Sequence, residues 1–278
     1  MVDMSEIYKN KKKALVRGSG DLATGVGVAL YRAGFQVIMT DIAVPLTVRR
    51  EVAMSRAVYE GRAKVEGIEG ILVRNYQEAL AVLEENKIAV IVDPKAEIRK
   101  EFHPDLLVDA ILAKKNLGTT RDMAPLTIAL GPGFTAGVDV DLVVETKRGH
   151  RLGRIIREGA AIPNTGVPGV IGGYGAERVI HAEKAGIFRN VCAIGDIVSA
   201  GETIAEIETP DGIRTPVTTR IAGILRGLLR DVCPVTPGFK VADVDPRREE
   251  LENCFLISDK ARCIAGSVLE LIAANLWK

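Results

Sequence analysis

The chain has 278 residues, enough to bury a large core and most naturally divided into two domains. Its 37 Lys and Arg balance 36 Asp and Glu to a formal charge of +1, which removes any global electrostatic case for nucleic acid or an anionic membrane surface. No apolar run approaches the roughly 20 residues of a spanning helix, the N-terminal MVDMSEIYKNKKK has no apolar signal core, and the four cysteines, Cys192, Cys233, Cys254 and Cys263, form no CxxC pair. A cytoplasmic protein with reduced, structural thiols is expected.

The first half alternates strand and helix signals. Ala14–Arg17 is a short apolar run, followed by the glycine loop Gly18-Ser19-Gly20. Asp21–Ala33 then spaces Leu22, Val26, Ala29 and Leu30 on one helical face, Gly34 stops it, and Phe35–Thr40 is a second apolar run ending at Asp41. That is a βαβ unit of about 30 residues. The pattern predicts a helix over Leu46–Tyr59, a strand near Gly70–Val73, a helix over Tyr76–Glu85 and a strand at Ile88–Val92. Further strands are expected at Leu106–Val108 and Leu126–Leu130. Alternation of this kind favours a mostly parallel sheet with helices on both faces.

The glycine loop fits G-x-G-x-x-A, between a strand and a helix, with an acid at the end of the next strand. Gly18 would permit the tight turn, Gly20 would let backbone approach a pyrophosphate, and Ala23 would let helix and strand pack closely. Asp41 would accept hydrogen bonds from a ribose. The bland alternative is a tight turn with no ligand. A second loop, Leu130-Gly131-Pro132-Gly133-Phe134, also follows an apolar run and reads equally as turn or ligand loop. Beyond it, Glu145–Arg154 is dense in charge, and Arg148, His150 and Arg154 would either clamp an anionic ligand or form a solvated turn. Pro163–Gly175 is glycine-rich and irregular. Among the three histidines, His103, before Pro104, reads as a surface residue, His181 has no recognisable partner, and no spacing supports a metal site.

The last third contains an internal repeat. Gly186-Ile-Phe-Arg189 recurs as Gly223-Ile-Leu-Arg226, and Val198–Ile207 recurs as Val235–Val244, so residues 186–207 align without a gap with 223–244 at an offset of 37. Two such copies suggest a small β-domain with approximate two-fold symmetry. Gly195–Ala205 resembles the biotinyl/lipoyl-type barrel-sandwich hybrid, but no lysine lies between Lys184 and Lys240, so no biotin or lipoate is expected. Intact-mass analysis of protein made beside active biotin and lipoate ligases should therefore give the unmodified chain. An adduct mapped within residues 186–244 would contradict this. Asp243, Asp245 and Asp259 would either gather round a cation or, more usually, cap turns and helices. Ser258 would cap a final helix running to about Leu276.

Several stretches together, VRGSGDLATGVG, DAILAKKN, LGPGFTAG, VVETKRGHRLGR, PNTGVPGVIGG, VADVDPR and SDKARCIAGSVLE, resemble the YqeB family. The N-terminal region is also similar in kind to the Rossmann part of XdhC/CoxI proteins. The resemblance implies an accessory protein for maturation of selenium-dependent molybdenum hydroxylases, acting on molybdenum cofactor, a pyranopterin dinucleotide, or another nucleotide. It implies the hydroxylase and other cofactor-maturation proteins as partners, with no nucleic acid or membrane partner, and a homo-oligomer is expected. Gly18, Gly20, Ala23 and Asp41 would hold the dinucleotide part, and Gly131, Gly133, Arg148, His150 and Arg154 its other end. No residue is assigned a catalytic role. An NAD(P)-dependent oxidoreductase and a noncatalytic docking scaffold are the alternatives. The expected architecture is α/β: a Rossmann-like domain over residues 10–145, a loop-rich segment over 146–185, a barrel-sandwich-hybrid-like repeat over 186–247 and a C-terminal helix within 248–278.

Overall fold

The computed structural model describes residues 11–276. The stretch read for a signal core lies, as far as Asn10, outside the described residues. The chain forms two units that are not sequential blocks. One takes the chain up to Pro45, Ala53–Asn164 and the chain from Ile257 on; the other takes Leu46–Val52 and Thr165–Leu256.

The first unit is built on one sheet. Its strands in chain order are β1 (Lys13–Arg17), β2 (Gln36–Asp41), β3 (Arg62–Val65), β4 (Ile68–Val73), β5 (Ile88–Val92), β6 (Leu106–Asp109), β7 (Leu126–Leu130), β9 (Leu142–Val144) and β10 (Ile155–Ile156). A separate two-residue ladder joins β8 (Thr135–Ala136) to β11 (Gly159–Ala160). The spatial order of the large sheet is β10-β9-β7-β6-β1-β2-β5-β4-β3. From β9 to β4 all neighbours are parallel, while β10 and β3 are antiparallel edges. The central strands are buried on both faces, which is why they read as unbroken apolar runs.

The main helices are α1 (Asp21–Arg32), α2 (Tyr76–Glu84) and α3 (Asp259–Asn275). Asn75 caps α2 by accepting from the Glu78 amide, and Ser258 caps α3 by accepting from the Ala261 amide. α3 packs on α1 through small residues: a Cβ built at Gly25 would lie 2.7 Å from Ala261 Cβ. This contact reverses the ordinary propensity rule. Gly25→Ala, which at an open helix position would stabilise by about 0.5–1 kcal/mol, is expected to destabilise by about 1–3 kcal/mol through overpacking. Ala261→Gly should restore most of that loss in the double variant. Additive losses in urea denaturation would show that the two residues do not share the contact.

This architecture corrects the expected one. The chain is α/β, but the sheet is mixed and its order is not that of a Rossmann domain. β5 intervenes between β2 and β4, where a Rossmann sheet sets the third strand beside the second. Beyond β6 the chain reaches β7 and then β9 through loops and one 3-10 turn, with no crossover α-helix. The cover on that side comes instead from α3, at the far end of the chain, so the terminal helix is a layer of the first unit rather than an appendage of the β repeat. The helix expected over Leu46–Tyr59 is also absent. That stretch holds 3-10 turns at Arg50–Val52 and Met54–Arg56 and one α-helical turn at Ala57–Glu60. Its backbone is engaged elsewhere, Val48 accepting from the Leu228 amide and Ala53 being extended.

The second unit contains β12 (Val179–His181), β13 (Gly186–Asn190), β14 (Ile197–Val198), β15 (Thr203–Glu208), β16 (Arg214–Thr218), β17 (Gly223–Leu228), β18 (Cys233–Val235) and β19 (Lys240–Asp245). They form two four-stranded antiparallel sheets, β12-β19-β17-β14 and β16-β15-β13-β18. The duplication is longer than the sequence match suggested. Val179 pairs with Asp243 and Ile180 with Ala242, just as Pro216 pairs with Glu206 and Val217 with Ala205, all at the same offset. The bulges repeat as well, opposite Val241 in one sheet and Ile204 in the other. Each copy also lends its middle strand to the other's sheet: β14 pairs with β17, and β18 with β13. The shared core includes Phe188, Ile204, Ile224, Leu228 and Val241.

Candidate functional site

In a parallel sheet the loops after the strands gather at the carboxyl edge, where ligands bind. Here β1, β6 and β7 end side by side, and their loops interlock. Gly18 adopts φ +97°, and a Cβ there would lie 2.9 Å from the Ala110 carbonyl oxygen, just past β6. Gly133 adopts φ +109°, and a Cβ there would lie 2.6 Å from the backbone of Lys115. The segment 110–119 is therefore braced by both glycine loops. It holds two non-glycine residues in the left-handed region, Leu112 and Lys114, a conformation that costs energy and gathers at functional sites. Gly131, at φ +77°, donates to the Val144 carbonyl and leaves no room for a side chain against Thr146.

A buried polar network ties these loops together. Arg17, the last residue of β1, is 1% exposed. It donates to Thr119 and Asp109, to the Pro94 carbonyl at 2.8 Å and to the Leu117 carbonyl at 3.3 Å. Asp109 also accepts from the Thr119 hydroxyl and the Ile111 amide. Burial pushes the Asp109 carboxyl above its ordinary range, while Thr119, Arg17 and the Ile111 amide pull the other way. Arg17 and Asp109 face each other across the β1–β6 register. Sequence reasoning missed them, although a charged residue closing an apolar strand was the available signal.

The predicted site residues divide by environment. Gly20 is the N-cap of α1, with φ −67°, so its lack of a side chain relieves no backbone strain; the strained glycine is Gly18. Without a side chain it leaves the first turn of α1 without a side-chain cap. Ala23 is buried. Asp41 does sit beside the loop, but its carboxylate is engaged: it accepts from the Ser19 amide at 3.1 Å, from the Ser19 hydroxyl and from the Ile42 amide at 2.8 Å. Burial nevertheless raises its pKa. The residue expected to take a ribose thus braces the loop itself.

Arg148 is bidentate to Asp259, at 2.9 and 3.2 Å, joining the turn after β9 to the start of α3. That turn is organised by the buried Glu145, which accepts from the amides of Thr146, Lys147 and Ile162. His150 and Arg154 are exposed in the same turn. Asp243 and Asp245, read as possible cation ligands, pair with arginines instead: Arg178 and Arg226 on Asp243, Arg247 and Arg226 on Asp245. Among the described residues no group of three or more His, Cys, Asp or Glu is placed to hold a metal ion. Nor is any described helix long and apolar enough to cross a membrane.

The geometry defines an α/β protein with an interlocked crown of strand-end loops at the carboxyl edge of its sheet. Over 258 residues the chain is 48% identical to a protein of Escherichia coli (strain K12) named "Uncharacterized protein YqeB", a match taking in 93% of this chain. That likeness supports the YqeB-family resemblance carried by the motifs; nothing found bears on the XdhC/CoxI one. The chain spans about half, 47%, of the length of that curated relative. No family model matches the chain. Solved structures with some likeness include a succinylglutamate desuccinylase/aspartoacylase from Rhodobacter sphaeroides, at 16% identity and a TM-score of 0.28, covering 85% of this chain and 86% of that one. The product-bound ectoine utilization protein EutE (DoeB) from Ruegeria pomeroyi matches at 11% and 0.27, covering 84% and 85%. At these scores the likeness carries no argument about fold or activity.

Proposed function

We propose that the carboxyl edge of the first unit binds an anionic, phosphate-bearing cofactor, and that the protein serves as an accessory factor in maturing molybdenum hydroxylases. The pyranopterin dinucleotide form of molybdenum cofactor, or a related nucleotide, is the ligand this reading names. The observation that carries it is the meeting, at one edge, of the uncapped first turn of α1 with cations from neighbouring loops. The free amides of that turn suit an anion. Lys114 and Lys115 stand on the segment that both glycine loops brace, and Lys147 and Arg148 on the turn after β9. The chemistry of this donor set fits a pyrophosphate: backbone N–H groups at Gly20–Ala23 and charge-assisted donors around it. A bound dinucleotide would supply the pterin chemistry; the chain's own part is to bind and orient it. The link to molybdenum hydroxylases rests on the family resemblance alone.

The direct test is mass spectrometry of small molecules released from the protein purified beside its hydroxylase. A pterin or nucleotide is expected, and Gly20→Val should lose it while the fold persists, since its φ is one that valine tolerates. Tightly bound NAD(P), or no ligand at all, would defeat the reading. So would normal hydroxylase activity in a strain lacking the protein.

A further inference from the structure

Lys260 stands out in the SDKAR stretch because nothing in the fold accounts for it. It is the second residue of α3, in the first turn, where the helix dipole disfavours a cation. Its charged surroundings are Arg148, which repels it, and Asp21, Glu145 and Asp259, which attract it. Two of those acids are committed: Asp259 takes Arg148 in a bidentate pair, and Glu145 takes three backbone amides. Among the described residues the Lys260 side chain makes no hydrogen bond and no ion pair, although the residue is half-buried. Burial, and Arg148 after it, lower its pKa below the usual lysine range. A cation that is partly desolvated, set beside another cation and placed at the wrong end of a helix opposes folding on each count. Such arrangements are kept where a ligand supplies the missing charge.

We propose that Lys260 is a ligand-binding residue of the carboxyl-edge site, its ammonium group, with Arg148 beside it, contacting a phosphate group of the bound anion. Ala261, the next residue along α3, packs directly on Gly25 of α1, so the start of α3, and Lys260 with it, lies against the helix that the glycine loop opens. This rests on the reading of that edge as an anion site. The occupant's chemistry is a phosphate or pyrophosphate ester, and the carboxylate of a small organic acid is the competing class.

The experiment uses the full chain and inorganic pyrophosphate as probe. Calorimetric titration should show binding to the unaltered protein, a loss of tenfold or more in Lys260→Met, and substantial retention in Lys260→Arg. Because the lysine opposes folding, the thermal midpoint of Lys260→Met should rise. Independently, amine acylation of the unaltered protein, mapped by peptide mass spectrometry, should find Lys260 reactive and protected by pyrophosphate. No binding of pyrophosphate by the unaltered protein would overturn the anion site and this proposal together. Binding that Lys260→Met leaves intact, or acylation that pyrophosphate does not slow, would overturn the lysine's role while leaving the site standing. A lowered thermal midpoint would make Lys260 a structural residue and count against it. Succinate displacing pyrophosphate at equal concentration would replace the phosphate assignment by a carboxylate one.

Discussion

Replacing Asp243 with Asn is expected to destabilise the second unit by about 3–5 kcal/mol, the usual cost of breaking a buried ion pair by removing one partner. Asp243 is 3% exposed and holds Arg178 and Arg226 on separate oxygens, each at 2.8 Å. The variant leaves two guanidinium groups facing a neutral amide in a place water does not reach. Lys240, at 3.9 Å and with its side chain 40% exposed, is the control. Lys240→Ala should cost less than about 1 kcal/mol. Equal losses from the two variants in urea denaturation followed by circular dichroism would show that the network is not selectively coupled to folding. The same residues set an acid limit. Burial raises the pKa of Asp243 and Asp245, but the surrounding cations outweigh it and hold both below the ordinary value. Folded values below the unfolded one, about 3.9, mean that this stability is fully present above that value. It is lost as pH falls through the folded values, and the loss should be smaller in Asp243→Asn, where only Asp245 of the two still titrates.

Gly18→Ala is expected to cost about 2–5 kcal/mol, from left-handed strain and backbone overlap together. The added methyl would lie 2.9 Å from the Ala110 carbonyl oxygen, and neither backbone yields easily because Arg17 and Asp109 pin both sides. Gly34→Ala is the comparison. Gly34 also has positive φ, at +92°, but open space beyond it, so only the strain of about 1–2 kcal/mol applies. Comparable losses at the two positions would mean that the strand-end loops are not as tightly interlocked as the geometry implies.

How much of this was legible beforehand differs by kind of information. The βαβ start was readable, because Gly18, Gly34 and the apolar runs between them act over a few residues. So was the repeat, since Gly186 and Gly223, Arg189 and Arg226 recur in place. The sheet order was not readable: periodicity announces strands but not neighbours, and a β5 inserted between β2 and β4 leaves no local trace. The false helix at Leu46–Tyr59 has a similar cause, since what fixes Val48 is an amide 180 positions further along the chain, at Leu228. In the candidate site, Gly18, Gly131 and Gly133 were found where backbone geometry demands glycine. Arg17, Asp109 and Lys260 escaped because their significance lies in what surrounds them. Asp41 was found from its place at the end of the next strand, and its contacts with Ser19, which brace the loop, were not.

The exchange of middle strands in the second unit constrains how such a unit can come into being. A lone copy, β12 to β15, would keep only the β13–β15 pair: β12 and β14 would have no sheet of their own, and the places of β16 and β18 beside β15 and β13 would stand empty. Both defects are cured at once by a second identical copy, whether on the same chain or another. The same arrangement is open to two separate short chains that trade two strands each. In the fused form neither half completes a sheet alone: a chain emerging from the ribosome closes the β16-β15-β13-β18 sheet only when β18 is free to pair, and the β12-β19-β17-β14 sheet only when β19 follows.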